Sequence, residues 1–105
     1  MIQFDLQEFN REIKEQKENA FVVFTSKRCP VCTRIEPVLV AAEKEHPNVK
    51  FCKVDTDVSP ELAREYSVKS VPLSIVFENG RAKSKKVGLL GKREIYEMIT
   101  KNPIL

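Results

Sequence analysis

Cys29 and Cys32 lie where the apolar run Phe21-Val22-Val23-Phe24 gives way to a stretch of helical periodicity, with only Pro30 and Val31 between them. Two thiols at a strand-to-helix junction can do redox chemistry. If the helix starts here, Cys29 is its N-cap and Pro30 its first residue, where the missing N–H costs nothing because that donor has no intrahelical partner. The Cys29 sulfur could then accept from the N–H groups of Val31 and Cys32 at the positive end of the helix dipole. Both effects favour thiolate over thiol, and Lys27 and Arg28 just upstream add positive charge, blunted by solvent. Cys32, three residues on, shares a helix face with Cys29, so the pair can close a disulfide and store two electrons.

The elements needed to hold such a junction can be read from the pattern. Met1 to Phe4 suggests a short edge strand. Asp5 caps a first helix in which Leu6, Phe9 and Ile13 recur at helical spacing. Ala20 to Thr25 is apolar throughout and rich in β-branched and aromatic residues, as expected of a strand buried on both faces. The helix after Cys29 carries Val31, Ile35, Val38, Leu39 and Ala42 on its apolar face and ends at His46-Pro47-Asn48. Pro37, inside it, should kink it. Val49 to Val54 alternates apolar and polar residues as a parallel strand. Ser59 and Pro60 open a short helix burying Leu62, Ala63 and Tyr66. Leu73 to Phe77 and a strand ending near Val87 form a hairpin about Glu78-Asn79-Gly80-Arg81. A last helix, from about Lys92 to Lys101, buries Ile95, Met98 and Ile99.

A chain of 105 residues, 42% of them hydrophobic, suits one domain over residues 1–105 with a single core. Net charge is only +3 with both signs interspersed, which gives no sign of a nucleic-acid or membrane surface. The densest cationic cluster, Lys83, Lys85 and Lys86, reads as a solvated strand edge, the alternative being a surface that steers an acidic partner. No segment is long and apolar enough for a membrane span or a secretory leader, so a cytoplasmic protein is expected. Three cysteines, an odd number, argue against a structural disulfide framework. Cys52, in an alternating strand, reads as a packing residue. A zinc set of Cys29, Cys32, His46 and Cys52 is conceivable by residue type, but the spacing matches no finger.

Alternating helices and parallel strands followed by an antiparallel hairpin and a closing helix describe an α/β fold in the order β-α-β-α-β-α-β-β-α, a mixed sheet covered on both faces. Here the chain resembles the thioredoxin family over essentially its whole length. The resemblance is carried by Cys29-Pro-Val-Cys32, Pro37, Ser70-Val71-Pro72 before a strand, and Phe77-Glu-Asn-Gly80 followed by Gly88. It implies a protein-disulfide reductase and electron carrier without a cofactor, in which Cys29 attacks a substrate disulfide and Cys32 resolves the mixed disulfide. It further implies a cis Val71–Pro72 bond facing the thiols. Substrate would meet Arg28, Pro30, Val31, Val71, Pro72 and Gly88, with Gly88 present for its backbone conformation or a close approach. The partners so implied are protein disulfides and a reductase, in the family usually an NADPH-dependent flavoprotein, with the chain a monomer.

The chain also departs from the family pattern. Arg28 replaces a tryptophan and Pro-Val replaces Gly-Pro between the cysteines. Val23 stands where thioredoxins usually bury an aspartate beneath the resolving cysteine, and Phe51 where a lysine often pairs with it. Cys-Pro-x-Cys is similar to glutaredoxins, but Leu-Ser-Ile-Val-Phe-Glu-Asn-Gly after Pro72 lacks their glutathione-holding Gly-Gly-x-x-Asp. Two rival functions share this fold: a binding or adaptor module whose groove near Pro72 holds a partner without redox work, and a metal or iron–sulfur carrier using the two thiols.

Overall fold

The computed structural model describes residues 1–100. The five strands are β1 (Ile2–Gln3), β2 (Ala20–Thr25), β3 (Lys50–Asp55), β4 (Leu73–Glu78) and β5 (Arg81–Val87). They form one sheet in the order β1-β3-β2-β4-β5. β3 runs parallel to β1 and β2, β4 runs antiparallel to β2, and β5 antiparallel to β4. The right-hand part of this order follows from connection length. The two-residue connection Asn79-Gly80 between β4 and β5 permits only an antiparallel hairpin, whereas the helix between β2 and β3 carries the chain back for a parallel pairing. Asn79 and Gly80 both have positive φ, 54° and 79°, the geometry that the tight hairpin requires and that Asn-Gly supplies.

The helices are α1 (Leu6–Phe9), α2 (Pro30–Glu45), α3 (Pro60–Glu65) and α4 (Lys92–Thr100). The last position expected for α4, Lys101, and the end of the expected domain, 102–105, lie outside the described residues. Asp5 caps α1 through a reciprocal pair of bonds with Glu8. The expectation of one continuous α-helix through Ile13 needs correction, because residues Asn10–Glu15 wind as a π-helix. The wider turn keeps Phe9 and Ile13, four residues apart and both fully buried, on the sheet side, while Glu12 reaches Lys50 at 2.8 Å.

Alternation along β2 explains why its whole run is apolar. Ala20, Val22 and Phe24 point to one core with Phe9, Ile13, Leu62, Ile75 and Phe77. Phe21 and Val23 point to the other, with Ile35, Leu39, Phe51, Val76, Leu90 and Ile95. The second core packs α2 and α4 against the sheet, and so fixes where the start of α2 sits relative to the ends of β2 and β4.

Candidate functional site

α2 begins as the spacing predicts. Cys29 is its N-cap with an extended backbone, Pro30 is its first residue, and the helix runs on through Pro37 to Glu45. The Cys29 Sγ accepts a hydrogen bond from the Cys32 N–H at 3.1 Å. The second expected donor, Val31 N–H, makes no such bond: the sulfur sits over the amide of the third helical residue, as a capping group commonly does. Cys29 and Cys32 form a disulfide with Cα atoms 5.3 Å apart, within the usual range for that bond. Cys29 is partly exposed and Cys32 buried, 6% accessible.

The loop before β4 comes up beside these sulfurs. The Val71–Pro72 peptide bond is cis, and the Val71 carbonyl oxygen lies 3.6 Å from Cys29 Sγ. Gly88 sits behind it, donating its N–H to the Pro72 carbonyl at 2.9 Å. Its φ of +100° is the reason for glycine there. Close approach is not, since a Cβ on Gly88 would meet nothing within 4 Å. The flanking Val87 and Leu89 are 59% and 45% accessible, an exposed apolar pair on either side of Gly88, and Val31 and Val71, next to the sulfurs, are half-buried. Arg28 and Pro30 are exposed at the same rim. Together, the residues expected to form the site are gathered at one end of the sheet.

Val23 and Phe51 are each 1% accessible and belong to the core that α2 covers. Phe51 stacks near His46 at the far end of α2 rather than under the thiols, and the β3 residue paired with Val23 is Lys53. A second feature went unread in the sequence. Cys32 lines a cavity of about 270 Å³ together with Thr25, Lys27, Glu36, Lys53 and Asp55. In it the Lys53 ammonium donates to both Glu36 carboxylate oxygens at 3.1 Å. Two signals point to it in retrospect. Glu36 is one helical turn beyond Cys32, and Lys53 is a charged residue paired directly with Val23 in the neighbouring strand.

Cys52 and His46 are not brought to this site. Cys52 is free, fully buried in the core opposite α2, and burial pushes its thiol up to about 12. His46 ends α2, which spans 16 residues from the Cys29 end, and stacks near Phe51 and Tyr96. A helix of that length is about 24 Å long. Among the described residues no three His, Cys, Asp or Glu side chains are placed to hold a metal ion. None of the helices described is long and apolar enough to cross a membrane.

A capped Cys-x-x-Cys pair that can cycle between dithiol and disulfide, set against a cis-proline at the end of a mixed five-stranded sheet, defines a thiol-disulfide oxidoreductase fold and site. The comparisons agree. The family model for thioredoxin matches residues 1–101, and the chain belongs to the thioredoxin family. It is 39% identical over 79 residues to a thioredoxin of Chlamydia trachomatis, covering 75% of this chain and 78% of that one. To a thioredoxin of Rickettsia typhi it is 32% identical over 95 residues, 90% of each chain. A chain from a solved structure on the thiol-resolving mechanism of yeast mitochondrial 1-Cys peroxiredoxin via glutathione and thioredoxin systems superposes with a TM-score of 0.84. That chain is 26% identical, with 94% of this chain and 92% of that one covered. The protein is a thioredoxin-like disulfide reductase.

Proposed function

We propose that Cys29 is the attacking thiol and Cys32 the resolving thiol in the reduction of protein disulfides. The Cys29 thiolate attacks one sulfur of the substrate disulfide, forming a mixed disulfide and expelling the other substrate sulfur as a thiolate. Cys32, deprotonated, then attacks Cys29 Sγ, which forms the Cys29–Cys32 disulfide and expels the second substrate sulfur. Two electrons and two protons have passed to the substrate, and a reductase returns them to the pair. The observation that carries this reading is the capping of Cys29 Sγ by the Cys32 amide at 3.1 Å. It stabilises the thiolate at the partly exposed cysteine rather than at the buried one.

Substrate binds along the rim of Arg28, Pro30, Val31, Val71, Pro72 and Gly88. Val71 offers its backbone to an extended substrate chain, and the apolar edge provided by Val87 and Leu89 supports this. The chain works without a cofactor, as a monomer of one domain over residues 1–105, in the cytoplasm, with an NADPH-dependent flavoprotein as electron donor. A reducing compartment is consistent with a third cysteine kept free and buried. In the test, the Cys32→Ser variant is mixed with a disulfide-containing protein and the products are weighed by intact mass spectrometry. A stable adduct on Cys29 is expected. An adduct on Cys52, or none with a substrate that wild-type protein reduces, would overturn the assignment.

A further inference from the structure

We propose that the concavity beside Val71–Pro72, lined by Lys69, Ser70, Lys85, Lys86 and Val87, receives an acidic segment of the polypeptide whose disulfide is being reduced. This rests on the oxidoreductase reading and adds the class of substrate. The concavity has a volume of about 280 Å³ and no carboxylate in its lining. The cationic cluster noted in the sequence is divided by the fold. Lys83 is held by Glu78 at 3.0 Å and Lys86 by Glu94 at 3.1 Å. Lys85 bonds only a backbone carbonyl, that of Tyr66, at 3.5 Å. Neither Lys85 nor Lys69 has a carboxylate partner among the described residues. Unpaired cations such as Lys44 and Arg81 occur elsewhere on the surface, but Lys69 and Lys85 differ from them in converging on one concavity.

That place is set by the active-site backbone. Ser70 precedes Val71, whose carbonyl is 3.6 Å from Cys29 Sγ, and Val87 precedes Gly88, which bonds Pro72. A substrate chain laid along Val71 advances about 3.3 Å per residue. Residues roughly two to four positions from the attacked cysteine therefore fall over the two lysines. On the other side of the thiols, the cavity beside Cys32 carries Glu36 and Asp55 balanced by Lys27 and Lys53, so the uncompensated charge lies on the Val71 side. The field across the site is thus asymmetric, and it favours a substrate that is acidic on the Val71 side. The occupant must be a polypeptide, because it has to deliver a disulfide to Cys29 while its acidic groups reach Lys69 and Lys85.

The test uses three disulfide-linked peptides of one core sequence, flanked by Glu, Ser or Lys, reduced by the fully reduced protein in stopped flow. At low ionic strength the Glu-flanked peptide should react about tenfold faster than the Lys-flanked one, and at about 0.3 M salt the ratio should fall below about twofold. In Lys69→Gln/Lys85→Gln the low-salt ratio should approach one. In Lys44→Gln/Arg81→Gln, which removes the same charge far from the thiols, it should persist. Equal rates for the Glu and Lys peptides with wild-type protein, or an equal loss of preference in both variants, would overturn the proposal. Failure of the oxidoreductase reading looks different: the Ser-flanked peptide would also stay oxidised.

Discussion

The end of β2 that leads into Cys29 and the middle of β3 that holds Cys52 are neighbouring parts of one sheet, yet they give the same side chain opposite chemistry. Cys29 sits at a helix start, partly exposed, with an amide N–H on its sulfur. Cys52 sits among Phe4, Val22, Phe24 and Val54 with none of its surface accessible. The first environment supplies what a sulfur anion needs, a donor and the positive end of a dipole. The second removes solvent and offers nothing in exchange, so the thiol stays protonated. Strand β3 needs a small apolar side chain at that place and uses cysteine as one.

Removing the sulfur at each of the two cysteines breaks this contrast most sharply. Cys29→Ser should reduce disulfide reduction to the uncatalysed background in an insulin-precipitation assay, while Cys52→Ala should keep it within about twofold of wild type. A Cys29→Ser variant with residual turnover would place the nucleophile elsewhere. The next effect concerns alkylation of Cys52. A rise from 9.0 to about 12 leaves about a thousandfold less thiolate at pH 8 than an ordinary thiol has. The oxidised, folded protein should therefore take up no iodoacetamide over a period in which the urea-unfolded protein gains one adduct. Labelling of the folded protein in minutes would mean that β3 opens far more often than its burial implies.

Both regions were legible in the sequence to different depths. The Cys29 cap, the Pro30 start and the Asn79-Gly80 turn are local geometry, and local geometry is written in adjacent residues. The two cores were legible because β2 has no polar position before Thr25, a run that only a strand covered on both faces tolerates. The π-helical turn at Asn10–Glu15 was not, because it depends on how Phe9 and Ile13 meet residues more than sixty positions away, such as Phe77. Likewise the cavity beside Cys32 joins Gln3, Glu36 and Lys53 from three elements, and the pairing that strands Lys85 depends on Glu78 and Glu94 capturing its neighbours. Long-range placement of charge has no signature in a single stretch of sequence.

Cys32, the resolving cysteine of the proposed mechanism, is intermediate between the two extremes, and its pH profile sharpens the comparison. Cys32 is buried, and Val23, on the strand that α2 covers, is apolar. With no base beneath it, the rate of mixed-disulfide resolution should track the Cys32 thiolate fraction. It should rise about tenfold per pH unit through neutral pH and flatten only above the thiol's own pKa. Stopped-flow decay of a preformed Cys29 mixed disulfide measures it. Rapid resolution that is independent of pH between 6 and 8 would show that a carboxylate of the adjoining cavity, Glu36 or Asp55, takes the proton instead.

The smallest effect is on stability, and there the two cysteines should change places. Cys29→Ser keeps a capping oxygen for the Cys32 amide at a partly exposed position, so the reduced variant should match reduced wild type within about 0.5 kcal/mol. Cys52→Ala removes a buried sulfur from a packed core and should cost about 1 kcal/mol through lost contacts and a small cavity. Cys52→Ser should cost more, about 1–3 kcal/mol, although it changes only one atom, because a hydroxyl placed among Phe4, Val22 and Phe24 has no partner for its hydrogen bond. Urea unfolding of the three reduced variants ranks them. If Cys52→Ser is as stable as Cys52→Ala, the strand position is wetter than its zero exposure implies, and the thousandfold suppression of its thiolate would have to be abandoned with it.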